Sequence, residues 1–120
     1  MNKKVLIVDD ATFMRMMIKN CLLKAGYENL YEAGDGRQAF EIFQQEHPDL
    51  VIMDITMPNM DGLEALKAIK DADPNAKVVM CSAMGQEAMV VQAIQLGALD
   101  FIVKPFRPER ILKTATKILG

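Results

Sequence analysis

Four short runs of apolar residues constrain most strongly what this 120-residue chain can fold into. They span positions 5–8, 50–53, 78–81 and 101–103, and none of them alternates with polar residues. Unbroken apolar runs of this length are typical of strands that are covered on both faces. Turn-forming or polar residues follow each run, so the sequence predicts four strands in the interior of a sheet.

Helical segments separate these strands. One of them repeats apolar residues at spacings of three and four, namely Met14, Met17, Ile18, Cys21, Leu22 and Ala25. This spacing places them on one buried helix face. The first four helices are predicted to end at Gly26, Pro48, Asp73 and Gly97. The last helix is predicted to begin near Pro108. Asp35 and Gln38 predict a capping box at the start of the second helix. Polar and apolar side chains alternate in residues 28–33, and some are charged. This pattern is typical of a strand at an exposed edge of the sheet, and it predicts the fifth strand.

Strand and helix therefore alternate five times along the chain. This order predicts right-handed crossovers and an α/β fold with a five-stranded parallel sheet between two helical layers. Among doubly wound folds, the flavodoxin-like three-layer sandwich has the strand order 2-1-3-4-5. Ligands in such sheets bind beyond the carboxyl ends of strands 1 and 3, where the order reverses.

Composition and charge exclude several classes of function. Two cysteines and one histidine, His47, are too few and too far apart for a zinc site, and we expect both thiols to be reduced. Only four apolar residues follow the first four positions, too short a run for a signal peptide or membrane span, so a cytoplasmic protein is expected. The net charge of −2 argues against nucleic-acid binding. The basic excess after residue 98 favours an acidic partner.

Three aspartates directly follow strands 1 and 3: Asp9, Asp10 and Asp54. Carboxylates that converge in a cleft repel one another and need a cation to remain ionised. Hard oxygen ligands of this number suit Mg²⁺, which usually shares its coordination shell with a phosphate. Lys104, after the last strand, supplies a second cation. Three carboxylates, one lysine and one Mg²⁺ then sum to zero charge.

Ser82, at the end of the fourth strand, adds a hydroxyl donor at the same edge of the sheet. A phosphoryl group presents three equatorial oxygens, and Mg²⁺, Lys104 and Ser82 would contact them. Asp54 lies where an in-line nucleophile could be positioned. The sequence therefore predicts an aspartyl-phosphate at Asp54.

These residues, at these spacings, resemble the receiver domain of bacterial two-component response regulators. The resemblance covers the whole chain through positions 8–10, 53–58, 61–62, 81–83 and 103–106. The runs at 10–15, 81–86 and 101–106 resemble chemotaxis members of the family from thermophilic and Gram-positive bacteria. The resemblance implies a single receiver domain over residues 1–120 with no output domain, and we expect a monomer.

The resemblance also implies roles for individual residues. Asp54 would accept a phosphoryl group from a histidine kinase of the CheA type, and Asp9, Asp10, Asp54 and the Thr56 backbone carbonyl would bind Mg²⁺. Lys104 and Ser82 would contact phosphoryl oxygens, Ser82 and Phe101 would form a switch pair, and the Lys104–Pro105 bond would be cis. Phe101 replaces the Tyr of many chemotaxis members, so this switch would act by packing alone.

The fourth helix predicts the output surface. Residues 84–96 carry one charge, that of Glu87, and their apolar residues cover more than the stripe that a core requires. Basic residues follow in the last strand and helix, so a mixed apolar and basic groove is expected, which suits an acidic amphipathic helix. We expect this helix to be the N-terminal segment of the flagellar motor switch protein. The predicted contacts are Met89, Val90, Lys104, Arg107 and Lys113.

Other functions remain open at this point. A single-domain relay receiver would pass its phosphoryl group to a second histidine protein, docking around the first helix rather than the fourth. A flavodoxin-like cofactor binder is disfavoured, because Asp9 and Asp10 present anions where a phosphate cradle needs N–H groups. A haloacid dehalogenase-type phosphatase is disfavoured because Thr56 stands where its second Asp would be. We therefore expect a phosphorylation switch rather than an enzyme, phosphorylating itself slowly from small donors and served by a phosphatase.

Overall fold

The computed structural model describes residues 3–120, so the first two residues of the predicted domain lie outside it. Five strands and five helices alternate, in the order β1 (Lys4–Val8), α1 (Thr12–Lys24), β2 (Asn29–Ala33), α2 (Gly36–Glu46), β3 (Leu50–Asp54), α3 (Gly62–Ala72), β4 (Val78–Ser82), α4 (Glu87–Gln95), β5 (Asp100–Val103) and α5 (Pro108–Leu119). All strand pairs are parallel, and the sheet order is β2-β1-β3-β4-β5. The predicted fold class is confirmed.

Side chains on the two faces of the sheet belong to two separate cores. Leu6 and Val8 of β1 pack with residues of α2 and α3, and with Ala93 of α4. Val5 and Ile7 point the other way and pack with residues of α1 and α5. Every residue of β3 and β4 is buried, which explains why these runs contain no polar alternation.

The two edge strands are more exposed than the central ones. In β2 only Ala33 is buried, and in β5 only Ile102 is buried. The alternating, charged character of the second strand in the sequence therefore reports its place at the edge of the sheet.

The helix ends confirm most sequence predictions and correct two. Asp35 accepts a hydrogen bond from the Gln38 backbone N–H at 2.8 Å, but the Gln38 side chain accepts from the Gly34 backbone N–H instead of returning to Asp35. The predicted box is therefore half formed, and the reciprocal capping box lies at Asp61 and Glu64, at the start of α3.

The fourth helix is shorter than predicted. It begins at Glu87 rather than at Met84, because Gly85 turns the chain with a φ of 90°. Gly97 ends it with a φ of 108°, and the Lys104–Pro105 bond is cis, both as predicted.

The two cysteines agree with the prediction that both thiols are reduced. Cys21 and Cys81 are free and buried. Burial raises the pKa of the Cys81 thiol to about 12, so this thiol is protonated at neutral pH. Within residues 3–120, no helix is long and apolar enough to cross a membrane.

Two glycines hold the loop that joins β3 to α3. The Gly62 N–H donates to the Ile55 carbonyl at 2.7 Å, and a Cβ at Gly62 would lie 2.1 Å from the Asp54 carbonyl oxygen. The Gly36 N–H donates to the Met60 carbonyl at 2.9 Å, and a Cβ there would lie 2.4 Å from that oxygen. The backbone segments at the end of β3 therefore approach so closely that neither glycine position can accept a side chain without a backbone shift.

We expect the Gly62→Ala substitution to destabilise the fold by about 1–3 kcal/mol, because the added methyl group must displace backbone at Asp54. Gly34→Ala is the matched control, since its Cβ would meet only side-chain atoms at 3.6 and 3.7 Å. Urea unfolding of both variants measures the difference. Equal stability of the two variants would contradict the close approach at Asp54.

Candidate functional site

Three aspartates converge at the carboxyl edge of the sheet. Asp9 and Asp10 follow β1, and Asp54 is the last residue of β3, so the parallel topology brings them to the reversal of strand order. One carboxylate oxygen from each lies within 4.8 Å of the others. Asp9 and Asp54 are buried, whereas Asp10 is exposed. The predicted cluster is thus formed, with one side open to solvent.

Lys104 brings a cation into this cluster from the opposite side. Its Nζ lies 2.8 Å from Asp9 Oδ2 and 3.3 Å from Asp54 Oδ2, and its side chain is 20% exposed. Burial lowers the pKa of the Lys104 amine, but the hydrogen bond and charge of Asp9 together with the charge of Asp54 outweigh burial and raise it overall. Lys104 is therefore charged at neutral pH.

Burial raises the pKa of the Asp54 carboxyl group above its ordinary value. The charge of Lys104 opposes this effect, while the neighbouring charge of Asp9 adds to it. One lysine thus leaves the cluster with a surplus of negative charge. The three hard oxygen ligands and the exposed side at Asp10 fit a divalent cation that keeps part of its water shell.

Arg15, which the sequence analysis did not single out, fixes the loop that carries Asp9 and Asp10. Its Nη1 donates to the Asp9 carbonyl at 2.5 Å, and its Nε contacts Glu32 at 3.3 Å. The Asp9 side chain itself accepts from the Ala11 N–H at 2.9 Å. The signal available in the sequence was a pair of basic residues four apart, Arg15 and Lys19, which both contact Glu32.

The loop after β3 is joined to the loop after β4 by Gln86, a second residue that the sequence analysis missed. Gln86 Nε2 donates to Thr56 Oγ1 at 2.7 Å, and Gln86 Oε1 accepts from the Ala83 N–H at 2.6 Å. The side chain of Thr56 is thus engaged away from the aspartates. The predicted metal contact of its backbone carbonyl stays a prediction.

Ser82 and Phe101 line one groove beneath α4. Ser82 is 1% exposed, and its side chain points away from the sheet face on which the preceding Cys81 packs with α1 and α5. The ring of Phe101 is 38% exposed. The structure therefore brings the predicted switch pair together, and its role in switching stays a prediction.

The same arrangement recurs in known proteins. A family model described as the response regulator receiver domain matches residues 5–116. The chain belongs to this family. Receivers are phosphorylation switches rather than enzymes in the ordinary sense, and their acidic pocket binds Mg²⁺.

Chemotaxis regulators are prominent among the relatives of this receiver. It is 58% identical to the chemotaxis protein CheY of Thermotoga maritima, over 98% of both chains, and 58% identical to CheY of Bacillus subtilis, over the full length of both. It is 40% identical to the sporulation initiation phosphotransferase F of Bacillus subtilis, over 99% of this chain and 98% of the relative. The structure of CheY4 of Vibrio cholerae superposes with a TM-score of 0.89 at 34% identity, covering 98% of this chain and 99% of that one.

An apolar groove of about 600 Å³ lies between α4, the loop before it and β5 of the receiver. Its apolar lining includes Val90, Val91, Ile94, Phe101 and Val103. A second groove of about 480 Å³, between β5 and α5, shares Phe101 and Val103 with the first. It adds two basic side chains, Arg107 and Arg110, and two acidic ones, Asp100 and Glu109, and Arg110 lies 3.7 Å from the Asp100 carboxylate. The expected apolar surface is therefore present, whereas the charged part beside α5 carries both signs of charge.

Two of the five predicted contacts line these grooves and three do not, and their roles in partner binding stay predictions. Met89 packs against the core, because it lies one turn from the buried Ala93 on the same helix face. Lys104 belongs to the acidic cluster, and Lys113 lines neither groove. Val90 and Arg107 do line the grooves. Val91 and Ile94 belong to the apolar excess predicted for the fourth helix, and they line the first groove although they were not among the five predicted contacts.

We expect Asp54→Asn to unfold at higher urea than the wild type at pH 7 in a chelator. A folded-state pKa above the ordinary value of 3.8 means that ionised Asp54 destabilises the fold, and this cost is lost as pH falls through the folded-state pKa. The difference in urea midpoint between the variant and the wild type should therefore shrink as the pH is lowered.

Asp35→Asn provides a control of opposite sign. A hydrogen bond from the Gln38 backbone lowers the pKa of Asp35, so the wild type should hold its full advantage over this variant above pH 3.8 and lose it as pH falls below that value, through the folded-state pKa. Urea midpoints between pH 3 and 7 measure both trends. A destabilised Asp54→Asn variant at pH 7 would refute the electrostatic account of the cluster.

Proposed function

We propose that this receiver is a chemotaxis regulator that accepts a phosphoryl group on Asp54 from a histidine kinase of the CheA type. The observation that carries the proposal is the position of the Asp54 carboxylate, beside Lys104 and two further carboxylates able to share a divalent cation. The identity of 58% to CheY proteins over nearly the whole chain supports the chemotaxis role.

In the transfer step, an Asp54 carboxylate oxygen forms a bond to the phosphorus of a phosphohistidine. The phosphorus–nitrogen bond breaks, and its electron pair stays on the imidazole nitrogen. Lys104, already 3.3 Å from the Asp54 carboxylate, is placed to bind an oxygen of the transferred group. Small phosphodonors would react slowly by the same route.

The metal in this proposal is Mg²⁺. The Asp9, Asp10 and Asp54 carboxylates and the Thr56 carbonyl would hold it, and it would neutralise charge on the phosphoryl oxygens. Asp9 also orients Lys104 through their 2.8 Å contact. Asp10 is the exposed ligand, so its replacement should impair metal binding with little effect on the fold.

Phosphorylation would change the output surface through Ser82 and Phe101. The Ser82 hydroxyl would move to bind a phosphoryl oxygen. The half-exposed ring of Phe101 would then pack inward, into the space that Ser82 leaves. Phe101 has no hydroxyl group, so the two states would differ in packing alone. A few kcal/mol of differential contact is enough to shift such an equilibrium.

We expect Asp54→Asn to abolish the Mg²⁺-dependent mass increase that the wild type shows with a small phosphodonor. Asp71→Asn is the control, because Asp71 is exposed on α3 and its carboxylate pairs with Lys67 at 3.0 Å, one helical turn away. Mass spectrometry of the intact proteins measures the result. Persistent modification of Asp54→Asn would place the acceptor elsewhere.

The output partner in this proposal is an acidic amphipathic helix from the N-terminal segment of the flagellar motor switch protein. Its apolar face would occupy the groove beside Val91 and Ile94, which are 56% and 45% exposed. Its acidic residues would face Arg107 at the rim of the second groove. The basic excess in residues 99–120 supports this orientation.

We expect Ile94→Glu to weaken binding of such a peptide about tenfold or more, because a charge would enter the apolar groove. Leu23→Glu is the matched control, since Leu23 is 42% exposed on α1, away from the groove. Peptide titration of the beryllofluoride-loaded proteins measures both affinities. Equal binding by the two variants would remove the groove as the docking site.

A relay receiver is the second candidate, supported by the 40% identity to the sporulation phosphotransferase. Phe13 and Met16 are 77% and 53% exposed on α1, next to the aspartates, where a second histidine protein would dock. Failure of the wild type to bind the motor peptide, together with phosphoryl transfer to a histidine phosphotransferase, would favour this candidate.

A further inference from the structure

The Gln86 side chain bridges the two loops that flank the end of the acceptor strand. It donates to Thr56, two residues after Asp54, and accepts from the N–H of Ala83, one residue after Ser82. The distance to Thr56 is 2.7 Å, within the usual range for a hydrogen bond from nitrogen to oxygen, and the distance to the Ala83 nitrogen is shorter, at 2.6 Å. One side chain therefore joins both sides of the opening above Asp54.

The Ala83 N–H continues the edge of β4 that faces the acceptor strand. Cys81 accepts from the Ile55 N–H on that edge, and Ser82 accepts from the Lys104 N–H on the other. Since successive residues of a strand direct their backbone groups to opposite neighbours, the Ala83 N–H points towards the β3 side. The Ile55 carbonyl there is already bonded to Gly62, and Gln86 Oε1 takes the free donor instead.

Gln86 is also the residue immediately before α4. Its side chain makes no capping hydrogen bond to its own helix. Ala93 is the only buried residue of α4, whereas each of the other four helices buries three or four. The start of α4 is thus tied to the acceptor loop by Gln86, and its first turn packs against the core through the partly buried Met89 and Val90.

We propose that Gln86 is a positioning residue whose side chain competes with the phosphoryl group and so disfavours the phosphorylated conformation. Its Oε1 occupies the Ala83 N–H, and a phosphoryl oxygen on Asp54 would displace it, so the inference rests on the proposed function of that residue. An anionic acceptor forms a stronger hydrogen bond with an N–H than a neutral amide does, so the exchange favours the phosphorylated state.

Displacement would release Gln86 from Thr56 and Ala83 together. The start of α4 would then lose its connection to the β3–α3 loop. Because Gln86 itself lines the apolar groove with Val90 and Ile94, its release would reshape the surface proposed to bind the output partner. The two hydrogen bonds of the Gln86 side chain would thus connect the loops beside Asp54 to the apolar groove beside α4.

Beryllofluoride with Mg²⁺, a mimic of the phosphoryl group, provides the test. We expect Gln86→Ala to bind it about 3- to 10-fold more tightly than the wild type, because the mimic no longer competes with one intramolecular hydrogen bond. In the absence of the mimic, α4 amide signals of this variant should already be shifted towards their positions in the loaded wild type. Titrations followed by amide NMR measure both effects.

Thr56→Val and Gln92→Ala complete the design. Thr56→Val removes only the second bond of Gln86, so it should tighten binding less and add nothing in the Gln86→Ala background. Gln92→Ala, an exposed glutamine on the same helix, should bind as the wild type does. Urea unfolding of each variant checks that the fold is retained.

The outcomes separate this inference from the proposed function. A wild type that does not bind beryllofluoride in Mg²⁺ would refute phosphorylation at Asp54. Normal wild-type binding, with equal or weaker binding by Gln86→Ala, would overturn the blocking role alone. An additive Thr56→Val effect in the Gln86→Ala background would also overturn it, because Thr56 would then act without Gln86.

Discussion

The contacts of Lys104 with Asp9 and Asp54 are the interaction on which the rest of this molecule depends. Without this cation, two buried carboxylates would face each other at the edge of the sheet, and burial would favour their protonated forms. With it, the charge is only partly offset, so a surplus of negative charge remains that a divalent cation would balance. The protein is folded around a charge imbalance that a ligand can relieve.

The sheet topology provides this juxtaposition. Asp9 and Asp54 end neighbouring strands, and Lys104 follows a strand at the edge, so residues far apart in the sequence meet at one end of the sheet. The two cores on either side hold these strand ends in place, and α1 and α3 begin directly beyond them. The least buried helix, α4, adjoins the groove, where the proposed partner would bind.

The sequence predicted the fold and the acidic cluster because both follow from patterns local to strand ends. Unbroken apolar runs identified the buried strands, and the polar residues after them identified Asp9, Asp54 and Lys104. Side-chain contacts between loops have no such pattern. The bridge made by Gln86 depends on where α4 begins, because the glycine turn at residue 85 moves that start by three residues and leaves Gln86 before the helix.

The two loops beside Asp54 differ in how firmly they are held, and this difference gives the molecule a preferred direction of mechanical response. Backbone contacts at Gly36 and Gly62 clamp the β3–α3 loop, and Asn59 adds a hydrogen bond to Asp35. The β4–α4 loop depends on one carboxamide. A group added at Asp54 would therefore displace the β4–α4 loop more readily than the β3–α3 loop, whatever the chemical nature of that group.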